Sequence, residues 1–96
     1  MNITSIKHKG LKRFVETGQT RGLPSQYAEK IGVLVEALIA IPNIAAFLSL
    51  PKGKPHRLKG DRHVDYAINI SRNWRMTFRH NDKDNTIEIL DLEDYH

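Results

Sequence analysis

Apolar residues in the first half of the chain recur at helical spacing. One short run precedes Gly18, a common type of helix stop, and predicts a first helix. This run consists of Leu11, Phe14 and Val15. A longer stripe at steps of three and four predicts a second, core-facing helix, which begins near Pro24 and ends at Pro42. Its members are Tyr27, Ile31, Leu34, Val35, Leu38 and Ile41. Residues 3–6, before both helices, are β-prone and predict a short strand.

The period changes to two in the second half of the chain. Residues 43–60 are rich in Pro, Gly and Lys, a composition that favours loop and edge strand over helix. Residues 66–70 and 74–78 then alternate apolar with polar side chains. Because residues 71–73 between them suit a tight connection, the pattern predicts a β-hairpin.

A last strand is expected over residues 86–92, after a polar turn at residues 81–85. Its apolar parity shifts between Ile89 and Leu90, which indicates a bulge or burial on both faces. Helices first and a meander of strands afterwards is the α+β pattern. We therefore expect a single domain over residues 1–96, with a short N-terminal strand and two helices packed on one face of a small antiparallel sheet.

Strand parity assigns the side chains of residues 74–79 to two faces. The apolar set expected against the helices is Trp74, Met76 and Phe78. Because side chains alternate along a strand, Arg75, Thr77 and Arg79 then project from the open face. Two guanidinium groups are thereby expected on an accessible concave surface.

Composition limits where such a protein can act. The 96 residues, 40% of them hydrophobic, suit one compact core. The absence of cysteine removes disulfides and thiolate chemistry and fits a reducing compartment, so we expect a cytoplasmic location. The longest apolar-rich stretch, residues 31–41, contains Glu36 and is too short to span a bilayer, and no membrane role is expected.

Charge is distributed unevenly along this chain, whose formal net charge is +4. Residues 1–80 hold 14 of the 15 Lys and Arg but only five of the 11 Asp and Glu, a balance of +9, whereas residues 81–96 have a balance of −5. A basic body attracts polyanions, which makes nucleic acid the leading class of partner. Asp91 and Glu93, in the acidic part, are interpreted as members of a solvated strand.

No metal or cofactor is expected from the sequence. The histidines are scattered at positions 8, 56, 63, 80 and 96, without the short helical spacing of a shared metal site. Gly-rich phosphate loops, Gly-x-Ser-x-Gly elbows and cysteines are all absent, which removes P-loop hydrolysis and most covalent catalysis. What remains is acid and base groups beside cations.

Three segments collect suitable side chains, and they are read together with the opening Lys7-His8-Lys9-Gly10-Leu11-Lys12-Arg13-Phe14 run. The segments are His56-Arg57-Leu58-Lys59-Gly60, Asn73-Trp74-Arg75-Met76-Thr77-Phe78 and Asp94-Tyr95-His96. In this order, over nearly the whole chain, they resemble the HigB-type toxins of the RelE/ParE superfamily. The resemblance implies a RelE-like fold and a toxin of a type II toxin–antitoxin system that acts as a ribosome-dependent mRNA endonuclease.

The resemblance also implies which residues act. It assigns the catalytic set as His56, Asp94, Tyr95 and His96, and the substrate-binding set as Lys59, Asn73 and Arg75. Metal-free RNA cleavage needs a base for the 2′-hydroxyl, positive charge for the phosphorane and an acid for the 5′-oxygen. His56 or His96 could be the base or the acid, and Asp94 could be the base or hold a histidine in position. The sequence does not decide which histidine is the base and which is the acid. Arg75 and Lys59 suit the phosphorane.

The resemblance further implies a HigA-type helix-turn-helix antitoxin as partner, together with the ribosome and mRNA. Operator DNA is expected to be bound only through the antitoxin. Two other functions remain open at this point. One is a toxin of the same fold that inhibits DNA gyrase, as ParE-type relatives do, and the other is a non-catalytic module that docks nucleic acid or an antitoxin.

Overall fold

The structure, a computed structural model, describes residues 1–94 and places the helices ahead of most of the strands. The helices are α1 (Lys9–Thr17), α2 (Ala28–Ala40) and α3 (Ile44–Leu48), and single 3₁₀ turns occupy Ser25–Tyr27 and Gly60–Arg62. The strands are β1 (Asn2–Ile3), β2 (His56–Arg57), β3 (Asp65–Asn69), β4 (Trp74–Asn81) and β5 (Thr86–Asp94). The predicted α+β class is confirmed.

The five strands form one sheet in the order β1-β5-β4-β3-β2. Strands β2 to β5 pair antiparallel, as expected. The sheet as a whole is mixed, because β1 adds to its edge in parallel with β5, Asn2 opposite Thr86. Parallel neighbours cannot be joined by a tight hairpin, and here nearly the whole described chain separates the two strands.

Helix α1 ends at Gly18, as the sequence predicts, and its start is capped by His8. The Nδ1 atom of His8 accepts a hydrogen bond from the backbone N–H of Leu11 at 3.2 Å and so caps the first turn. Gly18 follows the last turn in the left-handed region, at φ 78°, and its N–H donates to the carbonyl of Phe14 at 2.8 Å. Helix α2 begins after a 3₁₀ turn that follows Pro24 and stops before Pro42.

Residues 44–48 correct the prediction of loop and edge strand for residues 43–60. They form α3, whose first turn is capped by the side chain of Asn43, which accepts from the N–H of Ala46 at 2.9 Å. Phe47 in this helix is fully buried and meets Phe78 edge-on, with ring centroids 5.0 Å apart. A local cap and the burial of one aromatic ring therefore outweigh the composition of the segment. The expected edge strand is confirmed as β2.

The core lies between the helices and one face of the sheet. From the helices it takes Leu11, Ile31, Val35, Leu38 and Phe47, and from the strands Ile68, Met76, Phe78, Ile87, Leu90 and Leu92. Trp74 packs against this core, so the predicted two-faced parity of β4 is confirmed. None of the helices described within residues 1–94 has the length and hydrophobicity that a membrane-spanning helix needs.

Of the two alternatives for β5, a bulge or burial on both faces, the structure shows a bulge at Ile89. The register between β4 and β5 shifts between Thr77 and Arg79, and Ile89 adopts a left-handed conformation at φ 54°. The N–H of Ile89 donates to Ser5 Oγ at 2.8 Å. Beyond this extra residue Leu90 lies in the core, so the alternation of β5 restarts one step later.

Candidate active site

The sheet face away from the helices carries an open groove with a volume of about 500 Å³. Charged and polar side chains of β3, β4, β5 and the segment before β3 line it. Among them are Arg62, Asp65, Thr77, Arg79, Asp91 and Glu93. Arg75 projects from the same face of β4, because it lies directly opposite Glu93 in the β4–β5 ladder.

Glu93 is the centre of the polar contacts in this groove. Its carboxylate accepts two parallel hydrogen bonds from Arg62, Nη1 to Oε1 at 3.0 Å and Nη2 to Oε2 at 2.7 Å. Arg75 donates to Oε1 through Nε at 3.3 Å and Nη2 at 3.0 Å. The buried hydroxyl of Thr77 donates to Oε2 at 2.7 Å. Hydrogen bonding to Arg62 lowers the pKa of Glu93 from 4.5 to about 2, although partial burial opposes this shift.

A second carboxylate extends these contacts across the sheet. Asp65 accepts from Arg62 Nε at 3.1 Å and from Arg79 Nε at 3.2 Å. Hydrogen bonding to Glu93 raises the pKa of the Arg62 guanidinium above its ordinary value, and hydrogen bonding to Asp65 contributes a smaller increase. We call these five side chains the open-face network; they are Arg62, Asp65, Arg75, Arg79 and Glu93. Two carboxylates thus neutralise most of the charge of three guanidinium groups.

The interpretation of Glu93 as a solvated acid is wrong. Its side chain is only 23% exposed and is held by three partners. The alternation of β5 after the bulge puts Leu92 in the core and turns Glu93 to the open face. The period-two pattern alone indicates that Glu93 and Leu92 project from opposite faces of β5. Which residue of β4 lies opposite Glu93 can be predicted only when the position of the bulge is known. Nothing in the sequence signals the participation of Arg62.

His56 lies at the exposed edge of the sheet, on β2. It pairs with Ala67, and Ala67 pairs with Thr77, so His56 belongs to a row that projects from the open face. Its Nδ1 lies 2.7 Å from the carbonyl oxygen of Lys54. Because a carbonyl oxygen only accepts, Nδ1 is the donor in this contact, which leaves Nε2 as the acceptor nitrogen whenever the ring is neutral.

Lys59 is exposed and directly precedes the 3₁₀ turn that carries Arg62. It belongs to a basic loop, residues 52–59, which contains four Lys or Arg and no acid. The side chain of Arg57 in this loop donates to the carbonyl of His63 and so ties β2 to the segment before β3. The basic loop therefore places four cations, with no acid between them in the sequence, around His56.

The structure places Asn73 and Asp94 at one end of the sheet. Asn73 is exposed in the β3–β4 turn, where its N–H lies 3.3 Å from Ser71 Oγ. Asp94 pairs with Trp74, the residue after Asn73, and alternates with Glu93 along β5, so it projects from the side opposite Glu93. Two residues of the predicted catalytic set lie outside the described residues: Tyr95 and His96. The predicted residues that share the open face are thus His56 and Arg75.

Comparisons with known proteins agree with this architecture. A family model for the RelE-like toxin of the type II toxin–antitoxin system HigB matches residues 4–96. The endoribonuclease HigB of Proteus vulgaris is 40% identical over 94 residues, which are 98% of this chain and 99% of that protein. The YoeB/ParE toxin from Agrobacterium tumefaciens has the same fold, with a TM-score of 0.64 at 20% identity and coverage of 100% and 99% of the two chains. A YoeB–YefM complex from Staphylococcus aureus gives a TM-score of 0.63 at 20% identity, covering 100% of this chain and 98% of that one.

Proposed function

Because the chain belongs to the HigB family, the RelE-like toxins of type II toxin–antitoxin systems, we propose that it is an endoribonuclease that cuts mRNA on the ribosome without a metal ion. The observation that carries the proposal is the common placement of His56 and Arg75. Both side chains project from the open face. The comparison with a relative that is 40% identical and named as an endoribonuclease supports the same function. A base and a positive charge on one accessible surface are what cleavage at a 2′-hydroxyl requires.

The proposed division of labour follows from the chemistry of each group. Nε2 of His56 takes the proton of the 2′-hydroxyl, which then attacks the neighbouring phosphorus. Arg75 and Lys59 stabilise the additional negative charge of the phosphorane. His96 protonates the departing 5′-oxygen, Asp94 orients that histidine, and Tyr95 stacks on a base. Asn73, exposed at the same end of the sheet as Asp94, contacts the substrate strand.

The basic loop supplies the docking surface for the RNA backbone. Its four cations have no acid among them in the sequence, whereas the arginines of the open-face network are largely neutralised by Glu93 and Asp65. Backbone phosphates therefore bind more strongly at the loop than at the floor of the groove. Because the site has only a few acid and base groups, it needs a substrate that is already oriented. The ribosome provides this orientation by fixing the mRNA in its decoding site.

We propose that binding of an antitoxin controls this activity. A structural relative from Staphylococcus aureus, YoeB, is described in complex with YefM. The partner of the present chain is a HigA-type helix-turn-helix protein, through which the pair contacts its operator DNA. Because the substrate is mRNA on the ribosome, the activity belongs to the cytoplasm.

Primer extension on a reporter mRNA in a translating extract tests the proposal. The wild-type protein should cut inside translated codons and leave the same mRNA intact when ribosomes are absent. Cutting should fall about 100-fold in each of His56→Ala, Arg75→Ala and His96→Ala, in line with the loss of a group that acts in the transition state. His63→Ala, which removes another exposed histidine, is the matched control and should cut like wild type.

Three results would overturn the proposal. Intact mRNA together with growth arrest and inhibited DNA supercoiling would identify a gyrase inhibitor. Toxicity that survives removal of residues 94–96 would show that no acid or base at that position is needed. Equal cutting of free and translated RNA would refute the dependence on the ribosome.

A further inference from the structure

Glu93 has no role in the proposed chemistry, yet its carboxylate accepts five hydrogen bonds in the groove, from Arg62, Arg75 and Thr77. We propose that Glu93 is a positioning residue, which holds the guanidinium of Arg75 in the orientation needed to bind the scissile phosphate. This inference rests on the proposed function, because it assigns Glu93 a task within that reaction. Its neighbour Asp94 belongs to the proposed catalytic set, whereas Glu93 itself would act only through Arg75.

The contact between Glu93 and Arg75 fixes a plane as well as a position. Nε and Nη2 lie on one edge of the planar guanidinium, and both donate to the single oxygen Oε1 of Glu93. A free arginine side chain samples many rotamers, and holding it in one geometry costs conformational entropy. An arginine that is already in place when the phosphorane forms does not have to be ordered during the reaction. The side-on contact with Glu93 therefore orders Arg75 before the reaction begins.

The carboxylate of Glu93 is itself immobilised by other residues. Thr77, which is 2% exposed, donates to Oε2, the oxygen that does not contact Arg75. Arg62 grips both oxygens from the segment before β3, and Asp65 in turn holds Nε of Arg62. Contacts from three directions leave the carboxylate one orientation. Glu93 is thus held in place by side chains of β3, β4 and the segment before β3, and it in turn fixes the position of Arg75.

The substitution Glu93→Gln separates this role from simple filling of space. Gln has nearly the same shape, but one oxygen becomes an NH₂ group that would face hydrogen-bond donors, and the negative charge disappears. The hold on Arg75 should weaken while the backbone of β5 stays in the sheet. For cleavage on ribosomes we expect kcat to fall 10- to 100-fold and KM to change less than threefold, because the mRNA is bound elsewhere.

The matched control is Glu88→Gln, the same chemical change on the same strand. Glu88 accepts from Asn81 at 3.3 Å and lies opposite Arg79 in the β4–β5 ladder, four residues along β4 from Arg75. This variant should cleave within threefold of wild type. The decisive measurement is the double variant: in an Arg75→Ala background, Glu93→Gln should lower single-turnover cleavage by less than threefold, because the group through which it acts is gone. A merely structural role would lower cleavage equally in both backgrounds.

The outcomes separate this inference from the proposed function. Wild-type protein that does not cleave mRNA would refute the proposed function itself. If the wild type cleaves, the inference is overturned when folded Glu93→Gln keeps kcat within threefold, or when its loss is as large without Arg75 as with it. Circular dichroism checks folding first. Should Glu93→Gln fail to fold, Glu93→Asp replaces it under the same two criteria, with an expected loss of at least threefold.

Discussion

Replacing Glu93 by Gln should also destabilise the fold in a way that depends on pH. The contacts that lower the pKa of Glu93 from 4.5 to about 2 stabilise the charged carboxylate in the folded state. At 1.36 kcal/mol per pKa unit, this lowering corresponds to about 3 kcal/mol. Part of the carboxylate contacts water and screening reduces the effect, so we expect Glu93→Gln to cost about 1–2 kcal/mol at pH 7.

The sign of the pH dependence follows from the lowered pKa. A carboxylate whose pKa is depressed by folding contributes its full stability above its unfolded value of 4.5 and loses it as the pH falls toward the folded value of about 2. The stability gap between wild type and Glu93→Gln should therefore be constant from pH 7 to about pH 5 and should close between about pH 4.5 and 2.

Urea unfolding at several pH values, followed by circular dichroism, measures this gap. Glu36→Gln, on the exposed side of α2, is the control at pH 7 and should change the free energy of unfolding by less than about 0.5 kcal/mol. A gap that stays the same at pH 7 and pH 2.5 would refute the reasoning, because it would show that shape and packing, and not charge, account for the loss.

Three further substitutions test the packing of the helices, each by urea unfolding at pH 7. Gly10→Ala places a Cβ 2.2 Å from the carbonyl oxygen of Gly22, which must shift, so a loss of about 1–3 kcal/mol is expected and an unchanged stability would contradict the close approach. Phe47→Ala removes a fully buried ring and should cost about 3–5 kcal/mol, whereas a loss below 1 kcal/mol would mean that α3 does not seal the core. Asn43→Ala removes the cap of α3 and should cost about 1 kcal/mol, while Asn43→Asp, which keeps a capping oxygen, should restore most of it.

The sequence predicts those parts of the fold in which one strong pattern decides. The apolar stripe before Pro42 specifies α2, and the alternation around Met76 separates the core face of β4 from the face that carries Arg75. Even the bulge at Ile89 is visible as a break in parity. Helix α3 escapes prediction because five residues are too few to show a period, and its stability comes from burying Phe47 against distant strands.

The candidate site is predicted only in part, for a different reason. Arg75 is found because its role depends on its own strand. Glu93 is missed because its role depends on register: the shift between Thr77 and Arg79 decides which acid of β5 faces which arginine of β4. Arg62 approaches Glu93 from 31 positions earlier in the chain, and such a contact leaves no local pattern.

The place of β5 within the sheet bears on when the protein can acquire its shape during synthesis. Of the described strands, β5 is the last one made, yet it lies between β1 and β4, and Ile89 meets Ser5 from 84 positions away. Such distant pairing is slow to form, and β1 has no neighbour in the sheet until β5 arrives. A nascent chain that has not yet reached β5 holds neither the groove nor Glu93. On the proposed function, a nascent chain that lacks β5 therefore cannot cut the mRNA on the ribosome that is translating it.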